Sequence, residues 1–146
     1  MSLYADTSVL VAWFHPADEF ARPVTEWCRK HSPDFWWNLL LRIELRHNLR
    51  RLSGKYAATA WQAYRASEES GRLALRPQKV TDLLEWGDEL SARGAAAKTA
   101  GSWDCVHVAA AQHAQVDGFL TCDSAQAELA RFAGLQQVLL FPAPRS

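Results

Sequence analysis

The sequence predicts an α/β fold, a mainly parallel central sheet with helices on both faces. Three observations predict it. Short apolar runs alternate along the chain with longer stretches of helical spacing. The short runs are apolar throughout, the mark of strands buried on both faces. Acids close two of those runs, at the place where strand ends and helix starts share an edge.

The elements follow in order. Leu3 to Asp6 predicts a first strand. A short helix starts near Ser8, and a second runs from about Asp18 to Lys30 with Pro23 in its first turns. Phe35-Trp36-Trp37 predicts the second strand. Asn38 is an N-cap for a helix reaching about Leu52, broken by Ser53-Gly54. Lys55 to Ser70 is helical and ends at Gly71, and Leu73-Ala74-Leu75 is a short third strand before Pro77. Thr81 to Arg93 is helical, with Leu83, Leu84, Trp86 and Leu90 at helical spacing. Gly94 to Gly101 is the flexible loop. A helix from Ser102 to about Gln115, a strand over 119–122, a helix from Gln126 to Ala133 and a last strand from Gln137 to Phe141 complete the pattern. Parallel strands joined this way need right-handed crossovers.

At 146 residues the chain is expected to be a single domain over 1–146, with 142–146 as a short C-terminal tail. No apolar run approaches the ~18 residues of a membrane span. Met-Ser-Leu-Tyr-Ala-Asp has no basic region, so no signal peptide is expected. Three cysteines without a Cys-x-x-Cys spacing point to free thiols and a reducing, cytoplasmic location.

A net charge of zero argues against a protein that grips nucleic acid by bulk electrostatics. Attraction to phosphate must be local or come from metal ions. Arg42, Arg46, His47, Arg50, Arg51 and Lys55 form a basic stretch, and Asp82, Glu85, Asp88 and Glu89 an acidic one. Both fit solvated helix faces.

Asp6, Glu44, Asp104 and Asp123 are the candidate site. Asp6 and Asp123 each end an apolar run and precede a helix, so each also serves as an N-cap. Asp104 lies in the first turn after Ser102, where the helix dipole favours an acid. Glu44 interrupts Leu39-Leu40-Leu41-Arg42-Ile43-Glu44-Leu45, and a lone carboxylate on such a face is costly unless a cation meets it. Trp103, Val106, Ala109, Ala110 and Ala111 give the Asp104 helix a small-residue face for close approach to the sheet. Four acids converging on one edge would repel one another unless a divalent cation held them.

Four segments carry a resemblance. Tyr-Ala-Asp6-Thr-Ser-Val-Leu, Arg-Ile-Glu44-Leu-Arg, Trp-Asp104-Cys-Val-His107-Val-Ala-Ala-Ala and Phe-Leu-Thr121-Cys-Asp123 occur in this order over nearly the whole chain. The sequence resembles the PIN-domain ribonucleases, and within them the VapC-like toxins of toxin–antitoxin pairs. The resemblance implies a three-layer doubly wound sandwich with the acids at the C-terminal edge of the sheet. It implies that Asp6, Glu44 and Asp104 bind Mg²⁺ or Mn²⁺ and that Asp123 completes the site directly or through water. Ser8 or Thr121 would orient water or a neighbouring carboxylate, besides their capping roles. Hard oxygen ligands suit these ions and not zinc. Cys105-x-His107 has no complementary Cys/His pair for zinc.

The activity so implied is RNA phosphodiester hydrolysis by metal-activated water, leaving 5′-phosphate and 3′-hydroxyl ends. Arg42, Arg46 and Lys98 are phosphate-contact candidates. His107 is either a support for the site or a partly buried helix histidine. The resemblance also implies a cognate antitoxin, docked on early helices bearing Trp13, Trp27, Trp61 and Tyr64 as an exposed aromatic groove, and a homodimer. The rival readings are a catalytically silent RNA- or partner-binding module and a phospho-acceptor or aspartyl phosphatase. Asp6-Thr7-Ser8 lacks the Asp-x-Asp pattern that the last of these requires.

Overall fold

In a computed structural model, which describes residues 1–94 and 98–142, four strands form one sheet in the order β2-β1-β3-β4. The strands are β1 (Ser2–Ala5), β2 (Asp34–Phe35), β3 (Gly118–Thr121) and β4 (Val138–Leu140). All pairings are parallel, with Leu3 opposite Phe35, Ala5 opposite Leu120 and Thr121 opposite Leu140. Every residue of β3 is buried, as are Leu3, Tyr4 and Ala5 of β1. Both side-chain parities are therefore covered, which requires helices on both faces of the sheet.

Seven helices are described: α1 (Thr7–Phe14), α2 (Ala21–His31), α3 (Leu39–Arg50), α4 (Ala57–Glu69), α5 (Val80–Ser91), α6 (Ser102–Ala114) and α7 (Ser124–Phe132). Local chemistry explains two of their starts. Asn38 caps α3 by accepting from the Leu41 amide at 2.9 Å, and Asp6 caps α1 by accepting from Val9 at 3.1 Å. The core joins Tyr4, Phe35, Trp37 and Phe119 from the sheet region to Leu10, Leu41, Leu45, Tyr64, Leu83 and Leu129 from the helices.

One expectation needs correction. Residues 73–75 do not form a strand: only Leu75 bridges, in parallel with Trp37, and Arg76 donates to the Trp37 carbonyl at 2.8 Å. The chain passes the sheet edge at one point and turns away before a ladder develops. His107 of α6 meets Tyr4 of β1, and the small residues around it are buried. They pack against α5, where a Cβ on Gly87 would stand 2.6 Å from Val106 Cγ2. Of the expected loop, residues 95–97 lie outside the described residues, as do 143–146 of the expected tail.

Candidate active site

Register brings the acids together. Because Ala5 pairs with Leu120, the residues that follow them, Asp6 and Thr121, meet where β1 and β3 end, and the Asp6 amide donates to the Leu120 carbonyl at 3.0 Å. Asp123 lies two residues on and caps α7, accepting from Ala125 at 2.9 Å. Asp104, in the first turn of α6, accepts from the Gly101 amide at 3.0 Å. Glu44 comes from α3. The four acids line one cleft of about 250 Å³ with Thr7, Ser8, Asn48, His107 and Gln126.

The two hydroxyls bind the strand ends across this edge. Thr121 Oγ1 donates to Asp6 Oδ2 at 2.5 Å and accepts from the Asp123 amide at 3.0 Å. Ser8 Oγ donates to Asp6 Oδ1 and accepts from the Cys122 amide at 3.1 Å. Asp6 thus has three donors but no cationic partner among its hydrogen bonds, and it is only 4% exposed. Burial outweighs those donors and pushes its carboxyl up to about 6. Asp104 is also raised, by burial first and then by the charges of Asp123 and Glu44, against the Gly101 hydrogen bond.

Glu44 behaves differently. Its side chain is 37% exposed, so it stands on the rim and not in the core, as its apolar neighbours had suggested. Burial would raise its pKa, but a hydrogen bond from His107 Nε2, at 2.8 Å, holds the carboxyl below the usual glutamate range. Thr7 Oγ1 is close enough to favour that charged form, yet it makes no hydrogen bond of sound geometry.

Sequence reasoning missed four participants. Among the described residues, five buried side-chain atoms lack a partner, and two of them, Thr7 Oγ1 and Gln126 Nε2, belong to residues lining this cleft. An orphaned buried polar atom costs about 1–3 kcal/mol, so two beside one cleft point to a missing ligand. Gln126 falls three residues after Asp123, one helical turn along, which is the signal that could have found it. Asn48 lies one turn after Glu44 and was legible in the same way. Tyr4 is two residues before Asp6, the period of one strand face.

Other candidates lie elsewhere. Arg42 and Arg46 are paired with Glu68 at 3.2 and 2.8 Å, and with Lys98, which is exposed, they do not line the cleft. Of the expected aromatic groove, Tyr64 is fully buried, while Trp13, Trp27 and Trp61 are half-buried and pack against the core. The exposed tryptophan is Trp103, at 53%, beside Asp104.

The cleft's lining is oxygen-rich, without thiolate or uncommitted imidazole, which suits a hard divalent cation. Asp6, a buried carboxylate with no cation among its hydrogen-bond partners, fits such an ion. Among the described residues no three acidic, histidine or cysteine side chains close around a common point as they stand, so an ion would have to draw the carboxylates together.

An acidic cleft at the C-terminal edge of a parallel sheet marks an α/β protein whose candidate site lies where such folds bind their ligands. The family model for the PIN domain matches residues 3–132, and the chain belongs to that family. PIN domains are generally metal-dependent nucleases that act on RNA. Comparison with curated proteins gave no match. Among the described residues no helix is long and apolar enough to cross a membrane.

Proposed function

We propose that the protein is a Mg²⁺- or Mn²⁺-dependent endoribonuclease and the toxin of a toxin–antitoxin pair. The observation that carries the nuclease reading is Asp6, a buried carboxylate without a cationic partner facing three further acids.

Asp6, Glu44, Asp104 and Asp123 would hold the ion. Once bound, it supplies Lewis acidity at the phosphoryl oxygen and an easier deprotonation of water. The chain's own groups then orient the parts. Ser8 and Thr121 fix both oxygens of Asp6, Gly101 fixes one of Asp104, and Ala125 one of Asp123. Gln126 Nε2, an amide donor without a partner, suits a non-bridging phosphate oxygen in a cleft that offers few other free donors. Trp103 offers an exposed face for base stacking beside Asp104. Hydrolysis by water needs no ribose 2′-hydroxyl, so the products carry 5′-phosphate and 3′-hydroxyl ends.

The toxin reading rests on the sequence segments quoted above and on an exposed apolar face. Leu39 and Ile43, 51% and 69% exposed, line a groove with Leu40, Arg42, Arg46 and Arg50 on α3. We place antitoxin docking there instead of on the early tryptophans. A homodimer and a cytoplasmic location belong to the same proposal; three free cysteines, two of them buried, fit a reducing compartment.

The test is cleavage of total cellular RNA by antitoxin-free protein with Mn²⁺, Mg²⁺ or EDTA, beside Asp6→Asn. Metal-dependent fragments that vanish in the variant support the reading. No cleavage by folded wild type moves the weight to a silent binding module.

A further inference from the structure

His107 is 1% exposed, and both of its ring nitrogens are engaged across the core. Nε2 lies 2.8 Å from Glu44 Oε2, and Nδ1 lies 2.7 Å from Tyr4 Oη. The proton positions follow from the neighbours. A backbone amide can only donate, and that of Leu41 donates to Asn38 Oδ1 at 2.9 Å. Asn38 Nδ2 must therefore be the amide group that faces Tyr4 Oη at 3.3 Å and Gln78 Oε1 at 3.0 Å. Gln78 is fixed independently, because the indole Nε1 of Trp36 can only donate and reaches Gln78 Oε1 at 3.0 Å, while Gln78 Nε2 donates to the Ala110 carbonyl at 3.1 Å.

Tyr4 Oη consequently receives a proton from Asn38, and among its described partners His107 Nδ1 is the acceptor within reach of its own single proton. An imidazole that accepts at Nδ1 carries its proton at Nε2, aimed at Glu44. Every link runs in one direction, from two donors that cannot reverse to the carboxylate on the cleft rim. Tyr4 is completely buried, and its ring stacks on Phe119 at 5.7 Å between centroids, so the pair is held by packing as well.

We propose that Tyr4 and His107 are positioning residues for Glu44, with Tyr4 locking His107 in its Nε2–H tautomer. The consequence for cation binding rests on the nuclease reading. A ring held in this tautomer orients the carboxylate without cancelling the negative charge that a cation requires. A lysine or arginine at the same place would orient Glu44 and neutralise it. Partners of this kind typically change metal affinity or activity by about 10–100-fold when removed.

Two measurements on the whole chain test this. Long-range ¹H–¹⁵N correlation in metal-free protein reads the tautomer of His107, assigned among the five histidines by its loss in His107→Gln. Wild type is expected to show one ring form, protonated at Nε2 alone, and Tyr4→Phe a mixture of forms. A wild-type ring protonated at Nδ1, or a pure Nε2–H ring in folded Tyr4→Phe, would overturn the locking. Mn²⁺ affinity by electron paramagnetic resonance reads the positioning. His107→Leu should bind about 10–100-fold more weakly, and His107→Gln, whose amide keeps a donor, should recover most of the loss. Unchanged affinity in folded His107→Leu overturns the positioning role. Wild type that binds no Mn²⁺ yet shows the Nε2–H ring overturns the nuclease reading and this use of the chain, but not the tautomer.

Discussion

Asp6→Asn should make the protein more stable while abolishing cleavage. The magnitude comes from burial. The Asp6 carboxyl ordinarily titrates at 3.8, and burial moves it to about 6. At 1.36 kcal/mol per pH unit, this corresponds to about 3 kcal/mol of cost for carrying the charge above pH 6. Between pH about 4 and 6 the native protein holds a proton that the unfolded chain releases, so this group's contribution to stability falls as pH rises through that window and is level above it. Asparagine is accommodated: its Oδ1 can keep the Val9 cap, its amide can donate to Thr121 Oγ1, and the Thr121 proton can turn to Gln126 Oε1, 3.3 Å away. Thermal melts in EDTA from pH 4 to 8 should show the variant ahead of wild type by roughly 5–10 °C at pH 7.5, with the lead shrinking toward pH 4. Mn²⁺ should raise the melting temperature of wild type and not of the variant. A variant that melts below wild type at pH 7.5, or a lead that does not change with pH, would refute the reasoning.

Gln126→Met removes an orphaned buried donor and keeps its volume, so the melting temperature should rise by the equivalent of about 1 kcal/mol while RNA cleavage falls at least tenfold. If Gln126 only supports Thr121, the variant melts lower and this role fails. Gly87→Ala puts a methyl 2.6 Å from Val106 Cγ2 and 2.9 Å from its Cα, and urea unfolding should show a loss of about 1–3 kcal/mol. An unchanged midpoint would mean that α5 and α6 separate more easily than their contact implies.

What the sequence revealed was the local part of the structure. The caps at Asn38, Asp6 and Asp123 lie within three residues of the amides they meet, so composition alone locates them. The run Leu73-Ala74-Leu75 has strand composition, but a ladder depends on a partner's register, and Trp37 offers it one bridge. Tyr64 sits on a helix whose aromatic side looked free; only the packed structure shows that side turned onto Trp37 and Phe14. Glu44 and His107 are 63 residues apart and His107 and Tyr4 are 103 apart, so nothing in local spacing announces their bonds. The four acids could be named because each stands at a strand end or on a helix aimed at that edge. What holds each one was legible only where the holder was a near neighbour.

The bridge from Thr121 to Asp6 spans 115 residues, and it dates the assembly of the cleft. A chain emerging from the ribosome carries Asp6 and Glu44 long before β3 exists, and Asp104 shortly before it. Until Gly118–Thr121 inserts beside β1, Asp6 lacks the Thr121 hydroxyl, and Asp123 and Gln126 are missing from the cleft's lining. Pairing over such a separation also carries a loop-closure cost that earlier, local contacts do not. On the proposed nuclease reading, the site is complete only when the last fifth of the sequence has docked, so partly made chains would leave the RNA around them intact.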